Sequence, residues 1–286
     1  MRWRLEAALG RRLPFALRRP LRRLLYLPED VRDGVLGRRP PLVPPRGLRD
    51  VGAGDFVAVG EEFLGYLREL GLSPGSRVLD AGCGIGRLAI PLTAFLSERG
   101  SYDGFDVAAA DVRWCGRKLG RRFPNFRFVH ADVRNGRYNP NGRILPEEYV
   151  FPFPDGSFDF VVATSLFTHL LEGAARRYLG EISRVLAPGG RSLVTFFLLD
   201  DQARAAISGG RADFTFRVAA GEAHVHDAAE LEAAVAYERS WVDELHRKAG
   251  LEIEGPAWRG SWTHLPGSVT YQDVVVARKP APPAAP

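Results

Sequence analysis

An acid followed by three alternating glycines, Asp80-Ala81-Gly82-Cys83-Gly84-Ile85-Gly86, is the most chemically suggestive run in the chain. Glycine carries no Cβ, so backbone at these positions can lie against a ligand and adopt turns closed to other residues. A helix starting just afterwards would aim its unpaired N–H groups at a polar ligand. The spacing excludes a dinucleotide fingerprint. Gly-x-Gly-x-x-Gly counted from Gly82 and Gly84 needs a third glycine where the sequence has Arg87. Asp106 and Asp132 each close a short apolar run, and a carboxylate at a strand end can accept two neighbouring hydroxyls. His169, in Ser165-Leu166-Phe167-Thr168-His169, follows another such run, and its ordinary pKa suits proton transfer near neutral pH. His224 and His226 share a face if extended and, with Asp227, are metal-ligand types. Polar residues of a lid hairpin are the favoured reading there, and no metal site is expected. Cys83 and Cys115 are too few for a disulfide framework or a four-thiolate zinc site, which makes a reducing compartment the default.

These residues need a scaffold, and the periodicity supplies one. RVLDAG (77–82) predicts a buried strand running into the glycines, and 87–100 predicts the helix after them. The alternation continues with strand 101–107, helix 110–123, strand 126–132, strand 158–165, helix 173–186 and strand 191–199. Strands separated by helices or crossover-length segments imply a parallel sheet covered on both faces. Residues 59–70 predict a helix closed by Gly71, and 240–251 a helix ending at Gly250, followed by two closing strands. The segment 200–237 is too long for a simple connection and predicts an insertion or lid. Upstream, Gly52 and Gly54 free the chain to fold over a ligand, with Asp55 and Phe56 offering either a carboxylate and an aromatic cover or a helix cap.

Taken together, the Asp-x-Gly-x-Gly-x-Gly run, Asp106, Asp132 in HADVR, and GSFDFVVATSLFTHL followed by RVLAPGGRSLVTFF resemble the class I S-adenosylmethionine-dependent methyltransferase family in order and spacing. The resemblance covers about residues 55–200. It implies an α/β, Rossmann-like doubly wound fold: a mostly parallel seven-stranded sheet with an antiparallel closing strand, plus the lid insertion. It also implies S-adenosyl-L-methionine as cofactor, with contacts from Asp80, Gly82, Cys83, Gly84, Gly86, Asp106, Val107, Asp132, Val133 and Thr164. In that family Asp106 would grip the ribose hydroxyls, Asp132 would lie beside the adenine amine with Val133 contributing backbone contact, and Asp80 would lie near the methionine amino group or organise the glycine loop.

Methyl transfer from a sulfonium needs alignment of acceptor and methyl carbon, and a hydroxyl acceptor also needs a base. His169 is the candidate catalytic residue, with Asp200 and Asp201 as candidate orienters. Asn135, Tyr138, Asn139, Tyr149, Trp258, Trp262 and Tyr271 are candidates for the acceptor side, where aromatic faces and amides suit a sugar or polyol. A small-molecule acceptor follows, with a glycosyl or glycolipid hydroxyl as the class to test. Thr164-Ser165-Leu166-Phe167 replaces the Asn/Asp-Pro-Pro-aromatic run of enzymes that methylate base amines, which disfavours nucleic acid. A cofactor-binding, non-catalytic partner subunit docking through its N-terminal arm is the alternative.

Composition sets the outer bounds. The 286 residues, 45% hydrophobic and 26% charged, describe a globular chain. Its +5 charge is concentrated at one end: residues 1–50 hold thirteen arginines against five acids, +8, which leaves −3 for the rest. The globular part is therefore not a polyanion binder by composition. Residues 1–49 read as a basic amphipathic arm and Pro-rich linker, 50–279 as the methyltransferase domain, and 280–286 as a disordered tail. Within 1–27, leucines and eight arginines suit an anionic surface, but Pro14 and Pro20 limit the prediction to short helical turns. The absence of an apolar run of spanning length predicts a cytoplasmic location, with peripheral association at the inner membrane face as the arm's candidate role.

Overall fold

Strand β1 (Arg77–Ala81) is buried from Val78 to Ala81, so both of its faces need cover. That is the condition of a central strand in a parallel sheet. In the computed structural model, which describes residues 15–49 and 55–281, β1 pairs in parallel with β2 (Ser101–Asp106) on one side and β4 (Phe158–Ala163) on the other. β3 (Phe126–His130) extends the sheet beyond β2, and β5 (Leu186–Phe196) extends it beyond β4. β11 (Asp273–Arg278) pairs antiparallel with β5, and the two-residue β10 (Glu252–Ile253) closes the edge against β11. The seven-stranded order is β10-β11-β5-β4-β1-β2-β3, with the expected antiparallel closing strand. The order reverses between β1 and β4, and ligands bind at the carboxyl ends beside such a switch point.

Alternate residues of the central strands enter two cores. Leu79, Val161 and Ala163 face α5 (Glu172–Val185) and α7 (Arg239–Lys248). Val78, Phe160 and Val162 face α2 (Phe56–Glu69) and α3 (Ala89–Phe95). Gly71, at positive φ, ends α2 as expected. Helix α3 is shorter than its sequence pattern because the chain turns back at Leu96 and gives the Ser97 N–H to the Pro74 carbonyl. Helix α4 (Ala109–Cys115) passes into a π-helical turn over Gly116–Gly120, where the sequence predicts one continuous helix.

The chain leaves the main sheet after Phe196. β6 (Leu198–Leu199), β9 (Val235–Glu238), β8 (Ala223–Val225) and β7 (Val218–Ala220) form a second, four-stranded sheet in that order. The predicted insertion is therefore a small sheet with α6 (Asp201–Ser208) beside it. Its own core contains Phe197, Phe216 and Trp262.

The N-terminal region departs most from its sequence reading. Helix α1 (Phe15–Val35) runs through Pro20 and Pro28 for 21 residues, where short turns are expected. Contacts outside the helix hold its second half in place. Asp30 accepts the Arg46 and Gly47 N–H groups at 2.6 and 3.0 Å, and Asp33 pairs with Arg46 at 3.3 Å. Residues 37–48 consequently fold back along α1 instead of extending as a linker, and Val43 is buried with Phe56, Ile85 and Trp114. Gly47 packs so closely that a Cβ there would lie 2.9 Å from the Arg23 backbone. Residues 1–14, Gly52, Gly54 and the end of the tail (282–286) lie outside the described residues.

Candidate active site

The glycine loop is shaped by its own backbone. Gly82, Gly84 and Gly86 all have positive φ, at 79°, 51° and 80°, and the Gly82 and Cys83 N–H groups bond the Phe105 carbonyl. These conformations favour glycine. A Cβ on Gly84 would meet nothing within 4 Å, so the loop borders open space there. A Cβ on Gly86 would instead press on Cys115 and Leu119 at 3.1 and 3.2 Å, which makes Gly86 a packing glycine.

That open space is a cleft of about 1040 Å³, its mouth included, at the carboxyl ends of β1, β2 and β4. Gly82, Cys83, Gly84, Asp106, Val107, Val133, Thr164 and His169 line it. Asp80, Gly86 and Asp132 do not. Asp106 receives the Gly84 N–H on Oδ2 at 2.8 Å and the Ala108 N–H on Oδ1 at 2.7 Å. Both oxygens therefore lie at the cleft edge beside the glycine loop, where a carboxylate is a fitting acceptor for ligand hydroxyls.

Asp80 lies beneath the loop, buried, with its Oδ2 accepting from the Tyr102 hydroxyl at 2.8 Å and its Oδ1 without a partner. Burial pushes its pKa up to about 7, against the opposing Tyr102 hydrogen bond. Because the folded value exceeds the unfolded one, ionising Asp80 destabilises the ligand-free protein as pH rises from about 4 to 7, by roughly 4 kcal/mol in full. Asp80→Asn is expected to raise the melting temperature of the ligand-free protein at pH 8 and to leave it nearly unchanged at pH 4. Melts of the two proteins at both pH values check this, and a gain of equal size at both would contradict the assignment.

Asp132 turns away from the cleft. Arg143 and Asn139 both donate to its carboxylate, and the Arg143 bond holds its pKa below the usual range. The cleft wall at the end of β3 is made instead by Val133, Arg134 and Asn135. The competing cation is only eleven positions away, and no pattern in the apolar run announces it.

On the other wall, Phe167–His169 forms one 3-10 turn after β4. The His169 Nδ1 lies 2.8 Å from the carbonyl oxygen of Glu232, in the 3-10 turn Leu231–Ala233 between β8 and β9. A carbonyl can only accept, so Nδ1 carries the proton and Nε2 is left as the acceptor nitrogen. Burial lowers the imidazole pKa, which keeps the ring neutral at physiological pH. The orienting group is thus a lid carbonyl. Asp200 instead caps α6 through the Ala203 N–H at 2.7 Å, and Asp201 lies in that helix's first turn.

A polar brace lies under this turn. Ser165 has φ of 55°, unusual for a residue with a side chain, and its N–H bonds the Thr195 hydroxyl at 2.7 Å. The Ser165 and Thr195 hydroxyls donate to Gln272 Oε1 at 3.1 and 2.6 Å, and Gln272 Nε2 donates to Thr168 at 3.3 Å. Gln272→Leu is expected to orphan these hydroxyls, cost about 2 kcal/mol of stability, and loosen the segment that carries His169. Chemical denaturation measures the first effect. Faster amide exchange at residues 164–169 measures the second.

The acceptor-side candidates divide. Tyr138 and Asn135 line the cleft, with the Tyr138 ring 6.0 Å from His169. Trp262 is fully buried and donates its indole N–H to Asp273, while Tyr149 packs among Phe105, Phe151 and Tyr178. Trp258 packs on Tyr66, Tyr271 donates to Asp213, and Asn139 holds a turn. None of these five lines the cleft. Asp55 is a helix cap, accepting the Val57 and Ala58 N–H groups at 2.9 Å, whereas Phe56 does reach the cleft between the guanidinium groups of Arg49 and Arg87. His224 faces Glu238, and His226 accepts the Thr215 N–H. Among the described residues no three metal-ligand side chains converge. Arg19 of α1, ion-paired with Asp111 at the start of α4, was not readable as a cleft residue from sequence spacing.

The comparisons agree with this fold. Residues 78–190 match the methyltransferase domain family. Phthiotriol/phenolphthiotriol dimycocerosates methyltransferase of Mycobacterium tuberculosis is 34% identical over 119 residues, 41% of this chain and 36% of that protein. Sterol 24-C-methyltransferase erg6 of Schizosaccharomyces pombe is 33% identical over 138 residues, 47% of this chain and 30% of that protein. The chain thus spans about a third of the length of these curated relatives. In fold, it is similar to the 1,6-didemethyltoxoflavin-N1-methyltransferase of Burkholderia thailandensis, solved with 1,6-didemethyltoxoflavin and S-adenosylhomocysteine. That match has a TM-score of 0.51 and 19% identity, and covers 79% of this chain and 80% of that one. Residues 78–190 are thus similar to a methyltransferase domain, set in a Rossmann-like sheet of the expected order. The residues present fit S-adenosylmethionine: an open glycine cradle, a strand-end carboxylate lining the cleft beside it, and an unpartnered buried acid oxygen of Asp80 beneath them.

Proposed function

We propose that the chain transfers a methyl group from S-adenosylmethionine to a hydroxyl of a small-molecule acceptor, with a lipid or glycolipid hydroxyl as the favoured class. The bound cofactor supplies an activated sulfonium methyl. Gly84 and Asp106 would hold its nucleoside, Asp80 would balance the charge of its amino acid end, and Tyr138 with Leu166 and Leu170 would border the acceptor. His169 Nε2 would take the acceptor's proton. The carrying observation is the Nδ1 contact with Glu232, which fixes Nδ1 as the donor on a ring that lines the cleft. A neutral imidazole so fixed has no need to lose a proton before acting as a base.

The lipid class draws support from the relatives, whose names give phthiotriol dimycocerosates and a sterol as acceptors. The apolar side chains of Leu166 and Leu170 in the cleft wall suit the same class. The experiment is tritiated-methyl transfer across lipid, glycolipid, sugar, sterol, phenol, amine and RNA acceptors. Label on a lipid or glycolipid oxygen is the expected product. Label confined to amines or RNA overturns the acceptor reading, and calorimetry showing no cofactor binding overturns the whole. Binding without turnover on every acceptor would point to a non-catalytic subunit. A cytoplasmic protein working at the inner membrane face is the setting this reading implies.

A further inference from the structure

Helix α1 presents one exposed apolar stripe. Leu24, Leu27, Val31 and Val35 are 68%, 53%, 55% and 81% exposed, and their spacings of three, four and four residues put them on one side of a helix. Pro20 and Pro28 are exposed on the same side. Exposed Arg23 and Arg32 flank the stripe. None of the helix's three acids is exposed: Glu29 is half-buried, Asp30 is taken up by the Arg46 and Gly47 N–H groups, and Asp33 is buried against Arg46, 3.6 Å from Arg32. From residue 19 onward, every exposed residue of α1 is apolar, proline, glycine or arginine. Four large aliphatic side chains in one stripe are more than scattered surface hydrophobicity.

We propose that this stripe docks the protein on an anionic lipid bilayer, with α1 lying in the plane of the interface. Charge complementarity selects the occupant. A face edged by arginine and cleared of carboxylates gains from anionic headgroups, about 1 kcal/mol for each basic residue near the surface, while the aliphatic side chains enter the acyl boundary. No helix among the described residues is long and apolar enough to cross a membrane, so the contact is peripheral. The docking element is residues 20–35, displaced toward the C-terminal side of the 1–27 segment that the arginine content marks. The same helix reaches the cleft: Arg19 lines it and pairs with Asp111. Docking through the stripe would therefore hold the mouth of the cleft near the lipid surface. That consequence rests on the proposed lipid acceptor, whereas the docking itself does not.

The test is co-sedimentation of the full chain with vesicles of phosphatidylcholine containing about 30% phosphatidylglycerol, against phosphatidylcholine alone. Wild-type protein is expected to bind the anionic vesicles at least about tenfold more tightly, with the difference shrinking at high salt. The double substitution Leu24→Glu and Val31→Glu is expected to lower that binding by about tenfold or more while cofactor affinity by calorimetry stays at the wild-type value. The single substitution Arg32→Glu should give an intermediate loss, removing charge while keeping the stripe. Equal vesicle binding by wild type and double variant overturns the proposal. So does an absence of wild-type binding, or sedimentation velocity showing that the stripe mediates self-association instead. Cofactor binding and methyl transfer to a soluble acceptor are read separately, so failure of docking and failure of the enzymatic reading are distinguishable.

Discussion

Asp106→Ala is expected to weaken S-adenosylmethionine binding by about a hundredfold or more, the largest effect of any single substitution in the cleft. Two losses combine. The carboxylate lies at the strand end beside the glycine loop, where it can accept both ribose hydroxyls, and charge-assisted bonds of that kind are worth about 1.5–3 kcal/mol each. The same oxygens also hold the Gly84 and Ala108 N–H groups at 2.8 and 2.7 Å, so the glycine loop loses its anchor as well. Asp106→Asn separates the two contributions. An amide oxygen can keep one backbone N–H while its NH₂ faces the other, and one hydroxyl loses its acceptor, so an intermediate loss of about tenfold is expected. Calorimetric titration with S-adenosylhomocysteine reads both variants without requiring an acceptor. Wild-type affinity in the alanine variant would show that the nucleoside lies elsewhere.

The contrast between Asp106 and Asp132 shows what spacing can and cannot convey. Both acids end strands in the sequence, and both lie in the segment that matches the family. Asp106 faces the cleft because backbone N–H groups on both sides hold it there, and those donors are fixed by the strand-to-helix turn itself. Asp132 is followed by an irregular loop that brings Arg143 back against it, a tertiary event with no periodic signature. The central strands were legible for the complementary reason. Burial on both faces leaves runs such as Val78–Ala81 and Phe160–Ala163 apolar enough to read directly. The only acid in the first of these, Asp80, is the exception that marks the site.

Tertiary contacts also explain the misread aromatics and the arm. Trp262 reads as a binding-site ring, yet its indole N–H meets Asp273, whose carboxylate also takes the Leu198 and Gly260 N–H groups at the branch between the two sheets. Tryptophan is as useful for closing such a junction as for contacting a ligand, and composition does not distinguish the uses. In α1, proline argues against a long helix, but Asp30 and Asp33 secure its second half against the returning strap. Propensity is a local quantity, and this helix is held by residues more than ten positions away.

His169→Ala is expected to lower turnover on a hydroxyl acceptor by about 10²–10³-fold while leaving cofactor affinity within about twofold of wild type, because proton removal is the step the imidazole would serve. The ring's Nδ1 is held by the Glu232 carbonyl, outside the glycine loop, so the nucleoside end should be indifferent to its loss. A packing role predicts something different: reduced stability, with activity recovering in any variant that restores volume. His169→Asn tests this, since an amide can still donate to the Glu232 carbonyl and fill much of the space but cannot act as a base near neutral pH. The asparagine variant is expected to keep wild-type stability and to be as slow as alanine. The pH profile adds a further readout. Burial lowers the pKa of His169, so the neutral form should persist to pH values below those of an ordinary histidine, and activity should fall only as pH drops through that lowered value. Stabilising the protonated ring should move the acid limb upward. A carboxylate brought near the ring by Leu170→Glu has that sign, since opposite charge raises a histidine pKa. An acid limb unmoved by that change, together with an active asparagine variant, would assign His169 to packing and leave deprotonation to the acceptor's own acidity.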